Sequence, residues 1–414
     1  MQLFFLNQNG SSLISKLSRI RLYEWVCSLL FLFIPLSTAI PNLFLILLAA
    51  LFLCMIKEIN LGNFKQAKFI LPLVIVVIFS INSLFHGQFE EDIRLLSRIS
   101  IFILLIVILS IVENDFRVKM FFITGVNLSI LISLISMTFF FLEKGELAFG
   151  NTKYVNELLL LERPYFGFLC VLSVIICLSF FKTTKYKYYL LSSAFVCIAF
   201  VFVISARMSL VSLCLIGGVD LLYNRRNIPY KKLTILVSIL AVVLMVATNK
   251  NIRSRFYIDE GIEMTLKKAS VYEPRITIWS CFPELMKKKS YNIITGLGSF
   301  TATNEYLMEC YSYTIDNISK KNYYLSEKFN SHNQLADVLL SHGIVGLGVF
   351  ISFLILLFYK YGSNYYSIAL LTSYLCFLMV ENVLHRQLGC YLFGVLMFLL
   401  DNRGKGGNQK SMFK

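Results

Sequence analysis

Long apolar runs alternate with short polar connections from Trp25 to Leu400, and the runs are too long to be core strands. A helix needs about 20 apolar residues to cross roughly 30 Å of hydrocarbon. Runs of that order predict spans at 24–40, 42–56, 69–85, 95–112, 119–142, 164–181, 188–205, 207–223, 233–248, 334–359, 364–380 and 388–400. Each should be a helix, because an isolated strand leaves its backbone N–H and C=O groups unsatisfied in lipid. The pattern therefore predicts an all-α polytopic membrane protein of about 12 spans.

Composition agrees: 57% of the 414 residues are hydrophobic, 15% are charged and the mean hydropathy is +0.70. Soluble domains carry roughly a quarter charged residues, so an ordinary soluble enzyme, a disulfide scaffold, a coiled coil or a free nucleic-acid binder is excluded. The net charge of +15 is read as topology. Lys16, Arg19 and Arg21, then Lys57, Lys65 and Lys68, then Lys182, Lys185 and Lys187, then Arg225, Arg226, Lys231 and Lys232, fall on alternate connections. Cytoplasmic loops hold such residues, so both termini are expected inside. Met1 to Ser12 has no basic n-region, and no cleavable signal is expected there.

One segment breaks the short-loop pattern. Asn249 to His332 has no spanning run and carries Arg275, Lys287, Lys288 and Lys289 among many basic residues. The expected organisation is an N-terminal bundle over 1–248, a large outer segment with short helices over 249–332, and a C-terminal bundle with a cytoplasmic tail over 333–414. Of the ten cysteines, Cys281 and Cys310 lie in the outer segment; a disulfide and two free thiols both fit the sequence. Bonding would require an oxidising compartment.

Within the outer segment, Glu273 to Met286 reads as a helix opening at Pro274, with Ile276, Trp279, Phe282 and Met286 forming one apolar face. Arg275 falls in its first turn, either solvated or paired with a neighbour such as Glu273. Gly296-Leu297-Gly298 is a tight turn. Ser331 is the expected N-cap of the next helix, which places His332 at a helix start, as a cap, a hydrogen-bonded surface group or a general base. Arg207 cuts an apolar stretch of about 30 residues into two spans. An arginine at that depth faces a cavity or an anion, or else snorkels to the interface. Arg163 is a further outer candidate unless Glu162 neutralises it.

These residues resemble the O-antigen ligase and polymerase superfamily. The resemblance rests on Ser205-Ala206-Arg207 at an outer helix end and on a large outer loop with Pro274-Arg275-Ile276-Thr277-Ile278-Trp279. It continues through Gly296-Leu297-Gly298 to His332-Asn333, followed by Gly343 and Gly346. It implies a bacterial inner-membrane glycosyltransferase, GT-C-like in fold, taking a glycan from undecaprenyl diphosphate on the periplasmic face. In the ligases the acceptor is lipid A-core; in the polymerases it is another lipid-linked glycan. By position, Arg207 and Arg275 correspond to the family's diphosphate-binding arginines and His332 to its catalytic histidine. Arg163, Asn333 and Trp279 are further candidate substrate contacts. Neither a metal nor another cofactor is implied, and the sequence holds no DxD motif. With a single large outer loop, the chain leans slightly towards the ligases; capsule and exopolysaccharide polymerases with one large loop resemble it equally well and are the alternative within the superfamily. A secondary transporter is the alternative from a different class, and it would need a coupling acid at mid-membrane.

Overall fold

The computed structural model of the protein describes residues 2–59, 64, 66–112, 115–145, 152–181, 184–223 and 274–401. Among these residues the fold is all-helical, without a strand; a lone backbone bridge joins Asn292 and Gly296. The helices are α1 (Gln2–Phe33), α2 (Ile40–Met55), α3 (Ala67–Phe85), α4 (Phe89–Leu109), α5 (Asp115–Lys144), α6 (Thr152–Leu158), α7 (Arg163–Phe180), α8 (Lys187–Val203) and α9 (Arg207–Tyr223). After 273 come α10 (Pro274–Ser280), α11 (Phe282–Met286), α12 (Phe300–Thr314), α13 (Ile318–Glu327), α14 (Gln334–Tyr361), α15 (Tyr365–Leu378) and α16 (Gln387–Leu400).

Among the described residues, four helical segments are long and apolar enough to cross a membrane: Ala67–Phe85, Phe116–Lys144, Arg163–Phe180 and Gln334–Tyr361. Shorter apolar helices run over Ile40–Met55, Lys187–Val203, Tyr365–Leu378 and Gln387–Leu400. This is the fold of an α-helical membrane protein. The span expected at 24–40 ends at Phe33, just before Pro35, which has no N–H to continue the helix. The span expected at 233–248 lies outside the described residues.

The helices gather into two compact units. One draws on Met1–Phe69, Ile101–Phe200 and Tyr391–Lys414, the other on Ile70–Ser100 and Val201–Cys390. In the first, α1 packs along α5, and Phe31 meets Phe122 edge-on with ring centroids 6.2 Å apart. Gly125 permits the close approach, since a side chain there would run into the Leu32 carbonyl. The buried Lys68 ammonium is matched by Asp401 at 2.6 Å.

The second unit holds the segment after 273, with a small core of its own. Ile278, Cys281, Leu285, Leu307, Cys310, Tyr311 and Tyr324 are buried together. The single helix expected from Pro274 is two short helices, α10 and α11, broken at Cys281. Pro283 cannot donate back into the preceding turn. The buried face is Ile278, Cys281 and Leu285, whereas Trp279 and Met286 of the expected stripe are each 38% exposed. Cys281 and Cys310 are joined by a disulfide, which ties the α10–α11 corner to α12.

Candidate functional site

The site grows out of a broken helix. Within α14, Gly343 takes φ 62 and ψ −161, a left-handed excursion open mainly to glycine, and the i to i−4 ladder stops there. Residues 293–298 repair the break: Leu297 and Gly298 donate their N–H groups to the carbonyls of Leu340 and Ser341 at 2.8 and 3.0 Å. Ile344 and Val345 donate to the carbonyls of Ile293 and Ile294 at 2.9 and 3.3 Å. The Gly296-Leu297-Gly298 turn is thus a splice, with every bond going to backbone that a membrane protein must satisfy internally. Asn82 braces it, with Nδ2 reaching the Thr295 carbonyl at 2.9 Å and His342 Nδ1 at 2.9 Å. Asp92, fully buried, accepts from Ser83 Oγ, the backbone N–H groups of Phe300 and Thr301, and Thr301 Oγ1, which anchors the start of α12.

The break leaves the first turns of α14 set off as a short polar unit. Its N-cap is Asn333, whose side chain accepts from Ala336 N at 3.0 Å. The expected cap, Ser331, lies two residues earlier because His332 turns the chain through a left-handed φ of 46. Ser331 instead uses its hydroxyl on Asp337 Oδ1 at 3.0 Å. Asn333 is therefore spent on capping, and its own N–H donates to Asn382 Oδ1 at 2.8 Å. Trp279 donates Nε1 to the Ser331 carbonyl at 3.1 Å, which fastens α10 beside His332.

His332 and Arg275 meet on one carboxylate, Glu381, in the connection between α15 and α16. Arg275 Nη2 lies 3.0 Å from Glu381 Oε1, and Arg275 Nε and Nη2 both donate to the Val380 carbonyl at 3.2 and 3.1 Å. His332 Nδ1 is 3.5 Å from Glu381 Oε2, longer than a hydrogen bond. Burial pushes the Glu381 carboxyl up. His332, Arg275 and Arg386 outweigh it and hold the group below its ordinary value, so it is a carboxylate at neutral pH.

Arg207 opens α9. The preceding helix ends with Ser205 at φ 52, Ala206 N bonded to the Val201 carbonyl and Ser205 N to that of Phe202. This is a Schellman arrangement with serine in the place glycine favours. It turns the chain sharply and starts α9 at the charge. Helices α9 and α15 pack together. Tyr365 Oη reaches the Ile216 carbonyl at 3.4 Å.

Arg163 belongs to the other unit, at the first position of α7, and donates Nε and Nη2 to Asn156 Oδ1 at 3.2 and 3.0 Å. Tyr324 is 2% exposed and packs in the core with Tyr311 and Phe329; Tyr323 is 52% exposed. Read from the sequence alone, Glu381, Asn382, Asp337 and His385 have no part in a transfer site, and Asp337 bears only on the transporter alternative. One signal was present: an acid at the edge of an apolar run needs a partner, and Glu381-Asn382 sits at such an edge.

No protein-family model matches the chain, and comparison with curated proteins finds no match.

Proposed function

We propose that the protein is a polytopic membrane glycosyltransferase of the O-antigen ligase kind, with about 12 spans and a GT-C-like arrangement. Both termini lie in the cytoplasm, and the segment around 274–332 faces the periplasm. It moves a glycan from undecaprenyl diphosphate to lipid A-core in the bacterial inner membrane.

The observation that carries the reading is the Arg275–Glu381–His332 constellation, in which a histidine is backed by a carboxylate that an arginine also holds. A carboxylate beside an imidazole stabilises the imidazolium that forms when the ring takes a proton. The acceptor hydroxyl oxygen attacks the anomeric carbon from the face opposite the phosphate, and its proton passes to His332. The bond from the anomeric carbon to the phosphate oxygen breaks, and the diphosphate leaves with the electron pair. Arg207 and Arg275 meet the charge that develops there, since guanidinium is permanently charged and matches phosphate oxygens in pairs. The contact of Arg275 with Glu381 couples the anion side of the reaction to the base side.

A repeat-unit polymerase would use the same constellation on a lipid-linked acceptor. The transporter alternative draws on the complete burial of Asp337, yet that residue lies in the first turn of α14 and is bonded to Ser331 and His385. A coupling acid would sit at mid-span.

The test is the lipopolysaccharide banding of a deletion strain complemented with wild type or Arg207→Ala. A ladder reduced to bare core, with full-length glycan retained on undecaprenyl diphosphate, is the expected result. Core bearing one repeat unit would make the protein a polymerase. An unchanged ladder would defeat the ligase and O-antigen polymerase readings and leave a capsule or exopolysaccharide polymerase, or a transporter.

A further inference from the structure

His332 and Glu381 face each other at 3.5 Å without a hydrogen bond to fix that distance, so their separation is set by the backbone segments that carry them. Those segments are joined by a buried polar seam. Asp337, fully buried, accepts at both oxygens: Oδ1 from Ser331 Oγ at 3.0 Å and Oδ2 from His385 Nε2 at 2.6 Å. Asn382 Nδ2 donates to Ser331 Oγ at 2.8 Å, and Gln334 Oε1 accepts from Leu384 N at 2.8 Å. Arg98 holds the far side through Nη1 on the His385 carbonyl at 2.8 Å. Ser331 and Asn333 flank His332, and Asn382 follows Glu381, so each member of the pair is one residue from the seam. His332 itself sits at a left-handed φ of 46, a conformation that non-glycine residues keep only where their surroundings enforce it.

We propose that Asp337, acting through Ser331 and His385, is the positioning residue that holds His332 against Glu381. It does not reach substrate. A buried carboxylate that loses its charge or one donor no longer needs both partners, and the seam loosens at the residue next to His332. The inference rests on the proposed transfer reaction only for its kinetic arm.

The experiment uses the full chain in lipid nanodiscs with ring-labelled histidine. Four histidines give four ring signals, assigned by single His→Gln variants. Ser331→Ala and Asp337→Asn are then compared with wild type at neutral pH. Ser331→Ala changes no charged group, so a moved His332 signal in that variant reports position and not the loss of a charge. The expected result is that the His332 signal moves in both variants. In glycan transfer, kcat falls on the order of 10²-fold with little change in KM, as for a misplaced catalytic group. A His332 signal that coincides with wild type in folded Ser331→Ala overturns the proposal, and this variant decides alone if Asp337→Asn does not fold. A moved signal in a protein whose wild type transfers no glycan upholds the positioning and defeats the functional reading. Wild-type transfer with an unmoved signal does the reverse.

Discussion

Arg275 holds the Val380 carbonyl and the Glu381 carboxylate with one guanidinium, so its removal strips two groups of a donor at once. Arg275→Ala should lower glycan transfer at least about 10²-fold, and Arg275→Lys should recover only part of it, because a compact ammonium cannot copy the fork. Transfer assayed with purified lipid-linked donor decides this, and near-normal activity of the alanine variant would remove Arg275 from the site. Glu381 gives a pH dependence with a definite sign. Its folded value lies below the ordinary 4.5, so its contribution to stability is present above that value and is lost as pH falls through the lowered one. Melting of the detergent-solubilised protein should fall on acidification below about pH 4.5, and Glu381→Gln should flatten that limb. The sequence made Arg275 and His332 visible through residue type and place in the outer segment. It left their common partner unseen, because Glu381 lies about 50 residues beyond His332, a separation along the chain with no periodicity to announce it.

At the scale of elements, the break in α14 is the feature on which the site depends. Gly343→Ala places a side chain at a left-handed φ, and its Cβ would come 2.7 Å from the Gly296 backbone N. The expected cost is more than about 2 kcal/mol, whereas Gly348→Ala, whose Cβ meets nothing, should be close to neutral. Thermal melting of the two variants side by side measures the difference. The disulfide between Cys281 and Cys310 spans a sequence separation of 29, so a Cys281→Ser, Cys310→Ser protein should lose about 3.6 kcal/mol through the freer unfolded chain. Mass spectrometry after alkylation should find both thiols blocked until reductant is added; modification without reductant would contradict the bond. Helix boundaries were legible where a charge or proline interrupts an apolar run, as at Arg207 and Pro274. The break at Gly343 was not, since glycine inside an apolar helix is common and only the docked 293–298 segment gives this one its conformation.

For the whole molecule, the proposed topology puts the 274–332 segment and the connection between α7 and α8 on opposite sides of the membrane. With the exposed Cys54 and Cys214 removed, Lys289→Cys should react with an impermeant maleimide in spheroplasts and Lys185→Cys only after lysis. Equal labelling of both would overturn the orientation. By itself the sequence determined that this is a helical membrane protein, because apolar runs of spanning length leave the backbone no other way to satisfy its polar groups in lipid. It also determined where permanent charge stands at helix ends, as at Arg207 and Arg275. Tertiary structure decided that Arg275 and His332 share Glu381, that the Gly296-Leu297-Gly298 turn splices a broken helix, and that Asn333 caps while Ser331 joins a buried seam. Those outcomes rest on hydrogen bonds and ion contacts between residues tens to hundreds of positions apart, which burial makes obligatory and local pattern does not encode.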